Sequence, residues 1–296
     1  MSAVATVWTS YECDDGRMFR SDPPATANRV AALKDYMSDN VLDGEVFTCV
    51  NAASCRRSAV RDQNKSTDPA SIEFYEGQLS HIGPHYDIHV GEKPWRVMCL
   101  GMDVGRADPH IGLTRRREQQ REAIDKPFTA RHAHMRGTTT ALRLAFARDT
   151  GRDPAGECLQ LQNSPTPVHV MWAYALVNVR LCTVKQAHSV ASLGTKAMAH
   201  NCFEHLAATM QILQPQLCIV QSTPLARLLA PRMDAYTPIT EHLDLVQIGN
   251  ATMLWAKFTH PAARTGDLNW GRSDSTPYIT RVVRPTLHAA REYALG

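Results

Sequence analysis

Short apolar runs alternate with helical patterns along most of the chain. Four runs have the length and aliphatic content of buried strands and are bounded by Gly, Pro or polar residues: 95–101, 173–182, 216–220 and 250–259. Other segments space their apolar residues at helical intervals: 27–39, 114–124, 141–147, 198–213, 225–229 and 279–295. This alternation of strand and helix predicts an α/β protein with a parallel sheet.

Length and local charge suggest how the chain is divided. A chain of 296 residues with 44% apolar residues can form one large α/β unit. We assign residues 1–44 to an N-terminal helical extension and residues 45–296 to one domain. Segment 106–136 is interpreted as an insertion, because it holds eight Arg and Lys residues against four Asp and Glu residues. The net charge of +3 does not by itself indicate a nucleic-acid-binding protein.

Targeting signals are not apparent. The N-terminus lacks a basic start followed by an apolar stretch, so no signal peptide is predicted. The richest apolar run, 168–179, is too short and too polar to span a bilayer. We expect a soluble, cytoplasmic monomer without membrane association. In a reducing compartment its eight cysteines are expected to be metal ligands or buried thiols, and Cys99 and Cys218, within apolar runs, are predicted core residues.

Four cysteines stand as two local pairs, Cys49 with Cys55 and Cys182 with Cys202. The pairs are about 130 residues apart, so they can meet only if the fold brings an N-terminal loop against the middle of the chain. Four thiolates suit either an iron–sulfur cluster or Zn²⁺. The spacing therefore predicts a metal centre and leaves its identity open.

Polar residues stand where predicted strands end. Asp103 follows the first strand within the loop Gly101-Met-Asp-Val-Gly105, Asn178 lies in the second, and His260 follows the last. Ligands of open α/β sheets bind at the carboxyl ends of the strands. Gly101 and Gly105 would let the backbone turn tightly and approach a ligand. We therefore predict an active site at this edge of the sheet.

This series of motifs resembles the uracil-DNA glycosylase superfamily, notably its iron–sulfur members. The resemblance covers roughly residues 45–265 and includes both cysteine pairs, the 101–105 loop, Asn178 and His260-Pro261. It implies a three-layer α/β/α fold around a central, mainly parallel sheet of four strands. It also implies hydrolysis of the N-glycosidic bond of a nucleotide that is flipped out of DNA.

The resemblance implies a role for each motif. The predicted ligands of a 4Fe–4S cluster, with Zn²⁺ as the alternative, are Cys49, Cys55, Cys182 and Cys202. Asp103 would stabilise the cationic sugar and orient water, His260 would stabilise the departing base, and Asn178 would recognise the ring edge. The further predicted substrate contacts are Gly101, Met102, Gly105 and Phe128. The predicted DNA contacts are Arg115, Arg116, Arg117 and Arg264.

Departures from the family pattern bear on the substrate. Five residues separate Cys49 from Cys55, where the iron–sulfur members have two, and Met102 replaces the Glu of their loop. Asp103 instead matches the Asp in the loop of the cluster-free uracil enzymes. We therefore expect a modified pyrimidine as substrate, such as the glucosylated hydroxymethylcytosine of phage DNA, and a role in anti-phage defence. The alternatives are a uracil repair enzyme and a non-catalytic, cluster-containing DNA-binding protein.

Overall fold

A computed structural model of the chain describes residues 16–44, 46–61, 72–103, 112–186 and 192–296. The α-helices within these ranges are α1 (Pro23–Asn40), α2 (Ala52–Arg61), α3 (Leu113–Ile124), α4 (Ala133–Ala145), α5 (Lys196–Asn201), α6 (Phe203–Leu213), α7 (Thr223–Leu229) and α8 (Arg284–Leu295). A π-helical segment, Ile279–Val283, leads directly into α8. Of the helices in the described ranges, none has both the length and the apolar character needed to cross a membrane.

The strands are mostly short. They are β1 (Phe19–Ser21), β2 (Leu42–Asp43), β3 (Val46–Phe47), β4 (Ile72–Tyr75), β5 (His81–Ile82), β6 (Ile88–Val90), β7 (Lys93–Pro94), β8 (Val97–Gly101), β9 (Cys158–Leu159), β10 (Val168–His169), β11 (Tyr174–Asn178), β12 (Thr183–Gln186), β13 (Leu217–Val220), β14 (Ala235–Pro238), β15 (Leu243–Ile248) and β16 (Ala251–Lys257). Seven of them form one mixed sheet in the order β14-β15-β16-β13-β8-β11-β5.

The sheet confirms the predicted α/β class and corrects the predicted number of strands from four to seven. β11, β8, β13 and β16 pair with one another in parallel. β15 and β14 extend the β16 edge and β5 extends the β11 edge, all antiparallel. β5 has two residues and β14 is exposed at every position, so neither carries a readable apolar pattern.

Side chains of the parallel strands alternate between two apolar cores. In β8, Val97 and Cys99 enter one core, and Met98 and Leu100 enter the other. Helices α4 and α8 pack into the first core, whereas α1, α6 and α7 pack into the second. Helices therefore cover both faces of the sheet. Cys99 and Cys218 are fully buried, as predicted.

Helix α1 belongs to the second core and is not a separate extension. Its residues Leu33 and Met37 are buried beside the sheet. Arg29, also on α1, forms an ion pair of 3.0 Å with Asp87, a carboxylate that also pairs with Arg96 at 3.3 Å. The segment assigned to an N-terminal extension is thus joined to the domain by apolar packing and by a buried charge network, and its residues 1–15 lie outside the described ranges.

Replacing Asp87 with Ala is expected to lower the free energy of unfolding by about 3–5 kcal/mol, because the Arg29 and Arg96 guanidinium groups would lose a buried counter-ion. The Asp87 side chain is only 2% exposed. Urea unfolding followed by circular dichroism measures the change. The exposed Asp267 is the control, and Asp267→Ala should change stability by less than about 0.5 kcal/mol. Equal effects of the two substitutions would contradict this assignment.

Candidate active site

Polar residues converge at the carboxyl ends of the four parallel strands. Asp103 follows β8, Asn178 ends β11, Gln221 follows β13, and His260 lies shortly after β16. After β8 the chain forms α3 and then α4, and α4 packs on one face of the sheet, whereas after β13 the chain forms α7 on the opposite face. Divergence of neighbouring connections is what creates the ligand-binding crevice of open α/β sheets. The candidate site lies at this point.

Asp103 is held in place by two donors. Arg180 donates from Nη1 to Oδ2 at 2.8 Å, and the Ser192 hydroxyl donates to the same oxygen. The Asp103 and Arg180 side chains are 9% and 8% exposed. Oδ1 makes no hydrogen bond within the described part of the chain. The carboxylate therefore has a fixed orientation and one oxygen that can act on a ligand.

Gly194 supports this arrangement. A Cβ at position 194 would overlap the Arg180 guanidinium, so the absence of a side chain lets the arginine lie against the backbone. The Gly194 N–H donates to the Ser192 hydroxyl at 3.2 Å. Residues 192–194 thus form a short backbone cradle around the pair formed by Asp103 and Arg180.

Asn178 lies beside the 101–105 loop. It is 7% exposed and is paired in register with Gly101 on the neighbouring strand. A Cβ at position 101 would lie 3.0 Å from Asn178 Oδ1, so glycine provides room for the amide. Met102 is half-buried against the second core, and its carbonyl accepts a hydrogen bond from the Arg180 N–H at 2.9 Å. Gly105 lies outside the described residues.

His260 lies at one end of a row of three histidines. The ring centroids of His260 and His134 are 5.2 Å apart, and those of His134 and His132 are 6.1 Å apart. His132 is the N-cap of α4, and His134 lies in the first turn of that helix. Gln221, fully buried, donates from Nε2 to the Thr138 hydroxyl at 2.7 Å. Sequence reasoning assigned no role to His132, His134 or Gln221, since only the folded chain brings them beside His260.

Two histidines of this row, His134 and His260, have a lowered pKa and are mainly neutral at pH 7. Loss of hydration lowers the pKa of His260, and the nearby Asp103 carboxylate opposes that effect. The pKa of His134 is lowered to about 3, mainly by burial and also by His260 and His132, while a hydrogen bond with Gln221 opposes these effects. At neutral pH this edge therefore offers uncharged imidazoles next to one carboxylate.

The two cysteine pairs also meet in the fold. Cys49 precedes α2, Cys55 lies within α2 and not in a loop, Cys182 precedes β12, and Cys202 joins α5 to α6. Each is 9% exposed or less. Cys182 follows Asn178 closely in the chain, so the cysteine group lies on the same side of the domain as the strand ends.

The thiols affect one another electrostatically. Burial raises the pKa of Cys182, and Cys202, Cys55, Glu76 and Cys49 raise it further. The pKa of Cys202 is raised to about 12, mainly by burial and also by Cys55 and Cys49, while a hydrogen bond from the Leu181 backbone opposes these effects. Several thiolates cannot coexist here unless a cation compensates their charge.

Hydrogen-bond donors surround the sulfur atoms. Backbone N–H groups of Asn51 and Ala52 hydrogen-bond to Cys49, and Asn201 Nδ2 donates to Cys55 Sγ at 3.3 Å. Donors of this kind stabilise metal-bound thiolates. In the ranges that the structure describes, no three His, Cys, Asp or Glu side chains have the spacing of a formed metal site. By donor chemistry the four thiols fit a 4Fe–4S cluster or Zn²⁺.

The predicted DNA contacts of α3 are only partly available. Arg116 is 4% exposed and donates from Nε to the Leu79 carbonyl at 3.1 Å, so its prediction as a DNA contact is wrong. Arg115 is exposed but pairs with two glutamates of α3 at 3.3 and 3.1 Å. Arg117 is exposed. Arg115 and Arg116 of α3 therefore make contacts within the protein.

The remaining predicted contacts differ in accessibility. Phe128 is 5% exposed in the turn before α4, so its ring cannot stack on a flipped base in this conformation. This corrects the role expected for Phe128. Arg264 is exposed, shortly after His260-Pro261.

Comparison of the chain with protein-family models gave no match, and neither did comparison with curated proteins. The resemblance to the uracil-DNA glycosylase superfamily therefore rests on the order of the motifs in this chain.

The substitution Asp103→Asn is expected to lower the pKa of His260 further, because Asp103 is the negative charge that raises it. A proton NMR titration of the His260 ring measures the shift. The ring signal of His288, exposed on α8, serves as the control and should titrate identically in both proteins. An unchanged or increased pKa of His260 would show that the two side chains are not electrostatically coupled.

Proposed function

We propose that this chain is a DNA glycosylase of the uracil-DNA glycosylase superfamily, which hydrolyses the N-glycosidic bond of a flipped-out modified pyrimidine and leaves an abasic site. The supporting observation is that Asp103, Asn178 and His260 lie at the carboxyl ends of three of the four parallel strands, β8, β11 and β16. The parallel strands with helices on both faces are in keeping with the three-layer fold of that superfamily.

The carboxylate acts on the sugar. The C1′–N bond breaks and its electron pair stays on the departing pyrimidine, which leaves positive charge on the sugar. A carboxylate beside C1′ stabilises that charge. Asp103 Oδ1 also accepts a proton from the attacking water, whose oxygen bonds to C1′, and this proton ends on the released base. Arg180 and Ser192 hold Oδ2, so Asp103 keeps its orientation throughout.

The imidazole and the amide act on the base. A neutral His260 donates a hydrogen bond to a carbonyl oxygen of the pyrimidine, where negative charge develops as the bond breaks. Asn178 has one amide donor and one acceptor, and these pair with the edge of the flipped ring. The neutral state of His260 follows from its lowered pKa. A neutral donor is poised to stabilise an anionic leaving base.

The proposed substrate is a bulky modified cytosine, such as glucosylated hydroxymethylcytosine in phage DNA. The proposed biological role is defence against phage. The protein would act in the cytoplasm as a monomer. Two departures from the uracil enzymes support this choice. Met102 replaces an acidic residue in the loop, and Phe128 is buried away from the stacking position. Uracil repair is the second candidate, favoured by the match of Asp103 to the uracil enzymes' loop.

We also propose that Cys49, Cys55, Cys182 and Cys202 hold a 4Fe–4S cluster. When bound, the cluster supplies the positive charge that allows the four thiolates to coexist, and its role is structural. The residues around it join α2 to α5, as Ser58 and Thr195 do through a hydrogen bond of 2.8 Å. Zn²⁺ remains the alternative occupant.

The activity is tested with duplexes that carry glucosylated hydroxymethylcytosine, hydroxymethylcytosine or uracil, followed by cleavage at abasic sites. We expect excision of the glucosylated base, a loss in kcat of about 10²–10³-fold for His260→Ala, and a loss of about 10²–10⁴-fold for Asp103→Asn. The exposed His288 is the control, and His288→Ala should retain full activity.

Other results of this assay decide between the alternatives. Release of uracil alone would replace the proposed substrate with that of a repair enzyme. Absence of any abasic product from all three duplexes, by protein that still binds them, would contradict the enzymatic function and support a DNA-binding role.

The metal centre is tested by analysis of protein purified without oxygen. We expect about four iron atoms and four sulfides per chain, and the loss of both, with lower thermal stability, in Cys202→Ser. The half-buried Cys158 is the control, and Cys158→Ser should keep its iron. Colourless protein with about one zinc per chain would exclude the cluster and favour a zinc site.

A further inference from the structure

Helix α2 has two chemically different sides. Cys55, Ser58 and Ala59 are buried among the thiols and their apolar neighbours. The opposite side carries arginines, of which Arg57 and Arg61 are both exposed. These two are four residues apart and therefore point the same way, about 6 Å apart along the helix axis. The exposed side of α2 is thus a basic surface directly above the cysteine group.

A wide groove runs between this surface and α5. Its volume is about 1190 Å³, and its lining includes Arg56, Arg57, Arg61, Ala52, Ala53 and Ala197. None of the described residues that line it is acidic. Small side chains let another backbone approach closely, while arginines attract anions. The groove is too large for a single inorganic ion and suits an extended anionic chain.

The arginines of the groove differ in availability. Arg56 pairs with Glu76 at 2.8 Å, and its guanidinium lies 4.8 Å above the Phe74 ring. Its charge is therefore partly compensated and its position is fixed. Arg57 makes no hydrogen bond or ion pair within the described part of the chain. An exposed arginine without a partner can neutralise a phosphate without first breaking an ion pair.

Basic residues continue on the far side of α5. A smaller pocket there, of about 280 Å³, is lined by Lys196, His200 and Arg232, and it shares Ala197 with the wide groove. The Arg232 guanidinium lies 4.9 Å from the centre of the Phe203 ring. Positive charge therefore flanks α5 on both sides, and we call this whole surface, from Arg57 to Arg232, the α2–α5 surface.

The α2–α5 surface is joined to the candidate active site by a short path. Ser58 of α2 hydrogen-bonds to Thr195, the N-cap of α5, at 2.8 Å. Ser192 stands three residues before Thr195, and its hydroxyl donates to Asp103. A polymer that lies along the groove would therefore contact α2, and α2 is hydrogen-bonded to the segment 192–195 that orients Asp103.

We propose that the α2–α5 surface binds the phosphate backbone of the DNA strand whose nucleotide occupies the candidate active site. Exposed arginines, small lining residues and the size of the groove all favour a polyanionic backbone. These contacts are sequence-independent, because phosphates are the same for every base. The identification of the polyanion as DNA rests on the proposed function. The anionic chemistry of the partner rests on the surface itself.

The test is the binding of the full-length protein to a fluorescent, unmodified duplex at several salt concentrations. We expect Arg57→Gln and Lys196→Gln each to weaken binding about five- to tenfold near 0.1 M salt, and each to reduce the slope of log K against log[salt] by about 1. Arg281→Gln, an exposed arginine before α8, is the control and should leave affinity and slope unchanged. Circular dichroism checks that each variant is folded.

The outcomes separate this proposal from the proposed function. If Arg57→Gln and Lys196→Gln together keep the affinity and salt slope of the unaltered protein, or if Arg281→Gln weakens binding equally, the α2–α5 surface is not the DNA-binding site. If binding depends on this surface and no base is excised, the DNA-binding role of the surface is supported and the proposed glycosylase activity is contradicted.

Discussion

The parallel pairing of β8 with β11 and β13 is the constraint on which the candidate site depends. Parallel strands end at one edge of a sheet, so three chain segments far apart in sequence deliver Asp103, Asn178 and Gln221 to the same place. The close register of Gly101 with Asn178 is possible because glycine leaves room for the amide. Two apolar cores, one on each face, keep these strands aligned and make the edge rigid.

The protonation and pairing of the ionisable side chains at the carboxyl ends of the parallel strands are set by their surroundings. The carboxylate of Asp103 is paired with a nearly buried arginine, and the neighbouring histidines are held neutral by loss of hydration. Within the described residues, one oxygen of the Asp103 carboxylate makes no hydrogen bond. The segment 192–195 links Asp103 to the cysteine-bearing helix α2, because Ser192 hydrogen-bonds to Asp103 and Thr195 hydrogen-bonds to Ser58 of α2. The carboxylate and the thiol group are therefore parts of one connected structure.

Local physical signals explain which elements could be predicted. Buried parallel strands are continuous apolar runs, so 95–101, 216–220 and 250–259 were found within one to two residues of β8, β13 and β16. β5 and β14 lie at the edges of the sheet, where length and burial are too small to leave a pattern. The run of arginines in α3 was predicted to contact DNA, but the sequence does not show whether an arginine is buried or paired in the folded protein. The Arg116 side chain is buried, and its guanidinium donates to the Leu79 carbonyl and to Gln119 Oε1.

The sequence by itself determined the α/β class, the polar residues at the strand ends and the two cysteine pairs, because these depend on residue type and on spacing along a few residues. Only the tertiary structure decided that Arg180 holds Asp103, that His134 lies beside His260, and that the exposed side of α2 forms a basic groove with α5. Each of these contacts joins residues far apart in the chain. Such contacts depend on how helices pack on the sheet, which local spacing does not encode.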